Sequence, residues 1–245
     1  MKKPSLNIGV IVAARMTSKK FPGKHLAILH GKPVLQWCLE RCKQIHKGAA
    51  VILAVPDTDE SEPLLELATS LGVQNFCGDE NDVLGRLYHA AVFFKLDIII
   101  RITGDCPFID PTVCREVLAL LTWRNLDYAS NIYPTRTYPR GLDCEAFSMD
   151  CLEAAHKLAK TSYEREHVTP WMQNTAQVVK GNVTQQIDVS FKNFCVDEPG
   201  DIERIEKETP VVSMSDYRKN PLLIDTMNGT PTSVILPAKK DKIHD

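Results

Sequence analysis

The sequence predicts an α/β protein built on a doubly wound, mostly parallel sheet, and three observations carry that reading. Short, mainly apolar runs rich in Ile and Val recur at 6–13, 50–55 and 97–102, as strands covered on both faces should be. Helical stripes with apolar residues at i, i+3, i+4 and i+7 stand between and after them. The length of 245 residues is enough to bury about 70–75% of the unfolded surface, so one large α/β domain needs no disulfide or metal to hold it.

Taken in order, 6–13 is the first strand. The run behind Met1-Lys2-Lys3 imitates a short secretion signal, but it contains Asn7 and ends in a basic loop rather than a cleavage region. Leu35, Cys38, Leu39 and Cys42 mark the first helix, and 50–55 is the next strand. Leu64, Leu67, Ala68 and Leu71 mark a second helix, with 74–77 a weaker strand after it. Leu87, Ala90, Ala91 and Phe94 give a third helix before the strand at 97–102. Cys114, Val117, Leu118 and Leu121 give a fourth, with Asp110 as its cap and Pro111 at its first position. Such alternation builds a parallel sheet with right-handed crossovers.

The second half changes character. Residues 128–148 carry Tyr, Pro and Arg in place of periodic hydrophobics and read as a loop with a strand or two. Helices are expected at 152–158 and 164–172, and a strand at 183–189. A last strand at 193–196, a turn at Asp197-Glu198-Pro199-Gly200 and a helix at 201–208 follow. The whole reads as a single domain with an inserted subdomain at about 131–190 and an irregular tail from about 213.

Composition excludes several classes. Hydrophobic content of 44% and charged content of 24% are those of a globular chain, not a disordered one. No apolar run reaches the roughly 18–20 residues of a membrane helix. With 29 basic against 31 acidic residues, a general nucleic-acid coat is excluded and any basic function must be local. The 8 cysteines form no CxxC pair and no zinc-finger spacing, so they read as small buried hydrophobes of a reducing, cytoplasmic protein.

Ligands of open parallel sheets bind beyond the carboxyl ends of the strands. The first strand runs into Ala14-Arg15-Met16-Thr17-Ser18-Lys19-Lys20-Phe21-Pro22-Gly23-Lys24, four cations with no acid. Such a loop suits a polyphosphate, with Arg forking onto oxygens and Lys supplying point charge, and suits a solvated surface about equally well. It is neither GxGxxG nor a Walker loop. The strand at 97–102 runs into Thr103-Gly104-Asp105-Cys106-Pro107, where Asp105 could meet Mg²⁺ or simply close a turn. Asp197, after 193–196, is a second acid with the same two readings.

In combination these ends resemble a known family. Residues 14–24 are similar to the signature Ala-Arg-x-x-Ser-x-Arg-x-Pro-Gly-Lys of sugar-acid cytidylyltransferases, with Thr17 where glycine is common and Lys20 in place of the usual arginine. Gly31-Lys32-Pro33, Asn81-Asp82-Val83-Leu84-Gly85-Arg86, Thr103-Gly104-Asp105-Cys106-Pro107, Tyr138-Pro139-Arg140-Gly141-Leu142-Asp143, Arg165-Glu166-His167-Val168-Thr169-Pro170 and Val196-Asp197-x-Pro-x-Asp201 look like the spore-coat-polysaccharide branch of that family. The motifs run in order over about 6–207.

The resemblance implies a Rossmann-like nucleotidyltransferase that uses CTP and Mg²⁺ to convert a sugar acid of the Kdo, sialic or legionaminic kind to its CMP derivative, with release of pyrophosphate. It implies that Arg15, Ser18, Lys20 and Lys24 hold the triphosphate, with Arg15, Lys24 and Asp105 catalytic. Asp105 and Asp197 would hold the metal, and Asp82, Arg86 and Thr103 the cytosine and ribose. Arg86 also lies on an amphipathic helix, where a solvated role fits equally well. Tyr138, Arg140, Asp143, Glu145, Arg165 and His167 would face the sugar, an Arg or His meeting its carboxylate. An internal ion-pair network, with Glu145 or Glu166 as partner, explains the same polarity. For His167 a buried, structure-ordering role fits at least as well. The family expectation is a homodimer that binds neither nucleic acid nor membrane.

Two rivals remain at this level. Asp57-Thr58-Asp59 is the DxD string of metal-dependent glycosyltransferases, though it also stands at the acidic start of a helix, where it complements the dipole. A non-catalytic nucleotide-binding protein of the same fold is the other, and the retention of Lys24, Asp105 and Asp197 together argues against it.

Overall fold

The computed structural model describes residues 6–209 and the backbone of 233–235. The strand at the centre, β1 (Ile8–Ala13), pairs in parallel with β4 (Ala50–Pro56) and β6 (Ile98–Thr103), and β4 pairs in parallel with edge strand β5 (Gln74–Gly78). Beyond β6 the sheet continues through β8 (Glu145–Ser148), β7 (Tyr128–Ser130), β9 (Lys180–Thr184) and β10 (Ser233–Ile235). Strand β8 runs antiparallel to β6 and β7, β7 parallel to β9, and β10 antiparallel to β9. A two-residue ribbon, β2 (Ile28–Leu29) with β3 (Lys32–Pro33), follows the basic loop.

Side-chain alternation divides the core into two layers. Val10, Val12, Val51, Leu53, Val55, Ile98, Ile100 and Ile102 point to one face, where α1 (Val34–Cys42), α2 (Glu62–Ser70) and α4 (Pro111–Arg124) bury their stripes. Ile11, Ile52, Ala54 and Ile99 point to the other, against α3 (Val83–Phe93) and α5 (Met149–Leu158). A period of two on the strands meets a period of 3.6 on the helices, which is what locks register in a sheet covered on both sides. The Asp110 cap is present, its Oδ1 accepting from the Thr112 N–H at 2.6 Å ahead of Pro111.

Three expectations need correction. The helix foreseen at 164–172 is two, α6 (Ser162–His167) and α7 (Pro170–Asn174). Val168 adopts φ +72° between them, a left-handed conformation through which a right-handed helix cannot continue, so the chain turns there and a new helix starts at Pro170. The strand foreseen at 183–189 is β9, displaced toward the N-terminus, because the Gln185 and Val189 amides bond to Thr137 instead of a neighbouring strand. Residues 193–196 form no strand. Only Asn193 bridges, to Arg140, while the Cys195 amide goes to its own Asn193 side chain and the Val196 amide to the Asp105 carbonyl. Within the segment 131–190, β8 and β9 belong to the main sheet. The last helix, α8 (Gly200–Glu208), lies close to its foreseen place, and the tail from 213 falls outside the described residues except for β10.

Candidate active site

The loop after β1 folds back on itself because its amides have local acceptors: the Ser18 and Gly23 N–H groups both donate to the Met16 carbonyl at 3.0 Å. Gly23 sits at φ +72°, a conformation that a residue with a Cβ resists, and it aims Lys24 into a crevice at the carboxyl ends of β1 and β6. There the Lys24 ammonium lies 2.6 Å from Asp105 Oδ2 and 2.9 Å from Asp197 Oδ1. Burial works against the lysine charge, but the two carboxylates outweigh it and raise the pKa above its ordinary value. Burial likewise disfavours the Asp105 charge, yet Lys24, His25 and the Thr103 hydroxyl hold its pKa down at about 2.

Asp197 reaches this point without a sheet strand behind it. Asp201 at the start of α8 accepts the amides of Asp197 and Glu198 at 2.8 Å each, and the Val196 N–H donates to the Asp105 carbonyl at 3.0 Å. The two acids are thus tied backbone to backbone. Their oxygens form a pair of hard donors within reach of one cation. That fits Mg²⁺, which takes one or two carboxylates and completes its shell with phosphate oxygens and water. Among the described residues no group of three or more His, Cys, Asp or Glu offers an all-protein cage.

Of the residues expected in the site, the crevice brings together Arg15, Ser18, Lys24, Arg86, Thr103, Asp105 and His167. Arg86 is buried rather than solvated, with Nη1 2.7 Å from the Asp79 carbonyl; burial, followed by the nearby Arg15 charge, lowers its pKa to about 10. Three further ionisable side chains line the crevice that sequence reasoning had not placed there: His25, Arg101 and Glu166. Glu166 pairs with Arg15 at 3.1 Å. His25 is buried with Nδ1 2.9 Å from the Arg15 carbonyl, and its burial lowers the pKa to about 4. The imidazole is therefore neutral at pH 7 and donates to that carbonyl, fixing the loop. A histidine next to the signature lysine was the available signal for it.

The other expected residues are engaged elsewhere. Lys20 is exposed and pairs with Glu198 at 3.2 Å. Asp82 caps α3, accepting from the Gly85 N–H at 2.8 Å, and pairs with Arg165, whose Nη1 also donates to the His156 carbonyl at 2.8 Å. Tyr138 is buried in the core beside Glu116, because its ring packs with the α4 layer. Arg140 is exposed and serves the Asn193 bridge through its backbone. Asp143 pairs with Arg136 at 2.9 Å. Glu145, opposite Arg101 in the β6–β8 register, is buried and pairs with that arginine while accepting from the Tyr128 hydroxyl at 2.6 Å and Gln173 Nε2 at 3.1 Å. The six residues expected to face a sugar do not converge; His167 alone among them lines the crevice. Asp57-Thr58-Asp59 leads through a short 3₁₀ turn into α2 and takes no part in it.

A parallel sheet whose first loop is cationic and whose crevice holds a buried lysine between two aspartates defines a nucleotidyltransferase of the α/β class. The chain belongs to the cytidylyltransferase family, whose family model matches residues 9–224. It is similar to the solved structure of a cytidylyltransferase from Leptospira borgpetersenii serovar Hardjo-bovis, with a TM-score of 0.81 and 28% identity, covering 94% of this chain and 100% of that one. It is 33% identical over 130 residues to the 3-deoxy-manno-octulosonate cytidylyltransferase of Haemophilus influenzae, a match over 51% of this chain and 49% of the relative. It is 29% identical over 169 residues to the spore coat polysaccharide biosynthesis protein SpsF of Bacillus subtilis, covering 67% of this chain and 69% of that protein. The family and the fold expected from the motifs are therefore correct.

Proposed function

We propose that the protein transfers a cytidylyl group from CTP to the anomeric hydroxyl of a sugar acid, forming a CMP-sugar for polysaccharide biosynthesis and releasing pyrophosphate. The observation that carries this reading is Lys24 held between Asp105 and Asp197 at the mouth of β1 and β6. The acceptor oxygen attacks the α-phosphorus in line as the bond from that phosphorus to the bridging oxygen of pyrophosphate breaks. Little covalent chemistry falls to the protein, so positioning and charge neutralisation dominate. Arg15 and Lys24 orient the triphosphate. The Ser18 hydroxyl, which lines the crevice, adds a neutral donor. Asp105 and Asp197 would hold Mg²⁺, which when bound neutralises phosphate oxygens. His25 keeps the Arg15 backbone in place through its hydrogen bond. Arg101, which is paired with Glu145, and His167 both line the crevice and are the side chains placed to meet a substrate carboxylate.

The kinship with an octulosonate cytidylyltransferase supports the substrate class, and kinship with a spore coat polysaccharide protein supports the destination of the product. The DxD string stands outside the crevice, which disfavours a glycosyltransferase. A homodimer belongs to the same proposal. So does a reducing, cytoplasmic setting, which the 8 free cysteines support. Among the described residues no helix is long and apolar enough to cross a membrane. The test is pyrophosphate release from CTP and Mg²⁺ with a panel of ulosonic acids. Release that requires one of these acids, with a larger CTP-induced rise in Tm than ATP, GTP or UTP gives, is the expected result. Equal shifts for all four nucleotides and no acid-dependent release would overturn it.

A further inference from the structure

Lys24 occupies the point between the carboxylates at which a divalent cation would be bound. Its Nζ is 2.6 Å from Asp105 and 2.9 Å from Asp197. Both acids are fixed by bonds that do not involve the lysine: Val196 N–H to the Asp105 carbonyl, and the Asp197 amide to Asp201. The lysine is only 8% exposed, so its charge has little water to fall back on.

Two carboxylates carry two negative charges. An ammonium offsets one of them, and a dication offsets both. Ammonium and dication on the same oxygens would face each other at contact distance, where like charges repel strongly in a protein interior. They are alternative occupants of one pair of oxygens. A triphosphate changes the balance, because it brings new anionic oxygens beside Arg15 and Ser18 to which the ammonium can turn. Resting on the reading that Asp105 and Asp197 hold the metal, we propose that Lys24 is a built-in countercharge that keeps divalent cations off the aspartate pair until a nucleoside triphosphate draws the ammonium away. Metal and nucleotide then bind as a coupled pair, each strengthening the other by the same factor.

This role has a sign that phosphate holding alone lacks. A lysine that only holds phosphate contributes nothing to metal binding without nucleotide. A countercharge suppresses it, so its removal strengthens metal binding. The experiment titrates Mn²⁺, read by its electron paramagnetic resonance signal, into wild type and Lys24→Gln, without nucleotide and with α,β-methylene-CTP. The expected result is a gain for Lys24→Gln of about tenfold or more without nucleotide, inside the usual coupling range of about 5–150-fold. Adding Asp105→Asn to the same chain should abolish the gain. Lys24→Met, an unbranched side chain, replaces Lys24→Gln should that variant fail to fold, as judged by circular dichroism. Unchanged or weaker Mn²⁺ binding in the folded lysine variant would overturn the proposal. If wild type with α,β-methylene-CTP still shows Mn²⁺ binding that Asp105→Asn removes, only the countercharge role falls. If Asp105→Asn leaves that binding intact, the metal reading beneath it falls as well.

Discussion

Asp105 and Asp197 share one cation partner, and that sharing makes their loss interdependent. Asp105→Asn and Asp197→Asn keep shape but remove the charge that a hard cation needs, and each should lower turnover by at least roughly a hundredfold. The double variant should be little worse than either single one, because groups acting as a unit are strongly non-additive. Steady-state pyrophosphate release checks this, and an active Asp197→Asn beside a dead Asp105→Asn would reduce Asp197 to a turn residue. His25 makes a second prediction. Its pKa is about 4 in the fold against 6.5 for an unperturbed imidazole, so between those values the unfolded chain binds more protons. Stability must therefore fall as the pH drops through that window, by roughly 3 kcal/mol, with no further loss from this group below about pH 4. Urea titrations at pH 7 and pH 4.5 measure it, and His25→Asn should flatten the dependence. Arg15, Lys24 and Asp105, the residues proposed for phosphate and metal, were legible in the sequence because they lie within a continuous signature or at the end of β6, and Asp197 because an apolar run that imitates a strand precedes it. The sugar-facing residues were not. Side chains such as Tyr138 and Asp143 show the same polarity whether they meet a ligand or an internal partner such as Glu116 or Arg136.

At the scale of elements, β1, β4 and β6 were readable because both faces are apolar, and helices α1 to α4 because one stripe of each is. The segment 193–196 carries the same apolar signal for another reason: Phe194 and Val196 fill a third cluster with Leu29, Val34, Trp37 and Phe108. Burial alone therefore mimicked a strand, and only the destinations of the amides revealed a loop. Gly141 controls where that loop lies. It has φ +96°, and a Cβ there would stand 2.7 Å from the Phe194 carbonyl carbon and 2.8 Å from the Cys195 nitrogen. Backbone cannot yield as a flexible side chain would. Gly141→Ala should cost about 2 kcal/mol or more from conformational strain and overpacking, lowering Tm. It should also depress turnover, since any retreat of 193–196 carries Asp197 with it. Gly200→Ala, with nothing within 4 Å of the new methyl, is the control expected to change neither.

Across the whole molecule, the mixed right half of the sheet was the least legible part, because the partners of β7, β8 and β9 are set by loops such as 131–144 and not by strand composition. The opposite edge has a simpler character. Strand β5 pairs with β4 alone, and it displays Cys77, the exposed member of a set of 8 thiols whose other seven are buried. Burial and the neighbouring Asp57 and Glu62 push the Cys77 thiol pKa up, so it reacts slowly at neutral pH but is not shielded from reagent. A disulfide reagent should titrate one accessible thiol in the folded protein and all 8 in denaturant; several thiols reacting in the folded protein would contradict the packing of the other seven. The neighbouring Gly78 packs against Arg86, its missing Cβ falling 3.0 Å from Arg86 Cγ on the crevice wall. The native chain therefore carries a ready point of attachment for a fluorophore, chemically unique and one residue from the wall that a nucleotide would touch, with no cysteine to be engineered in or out.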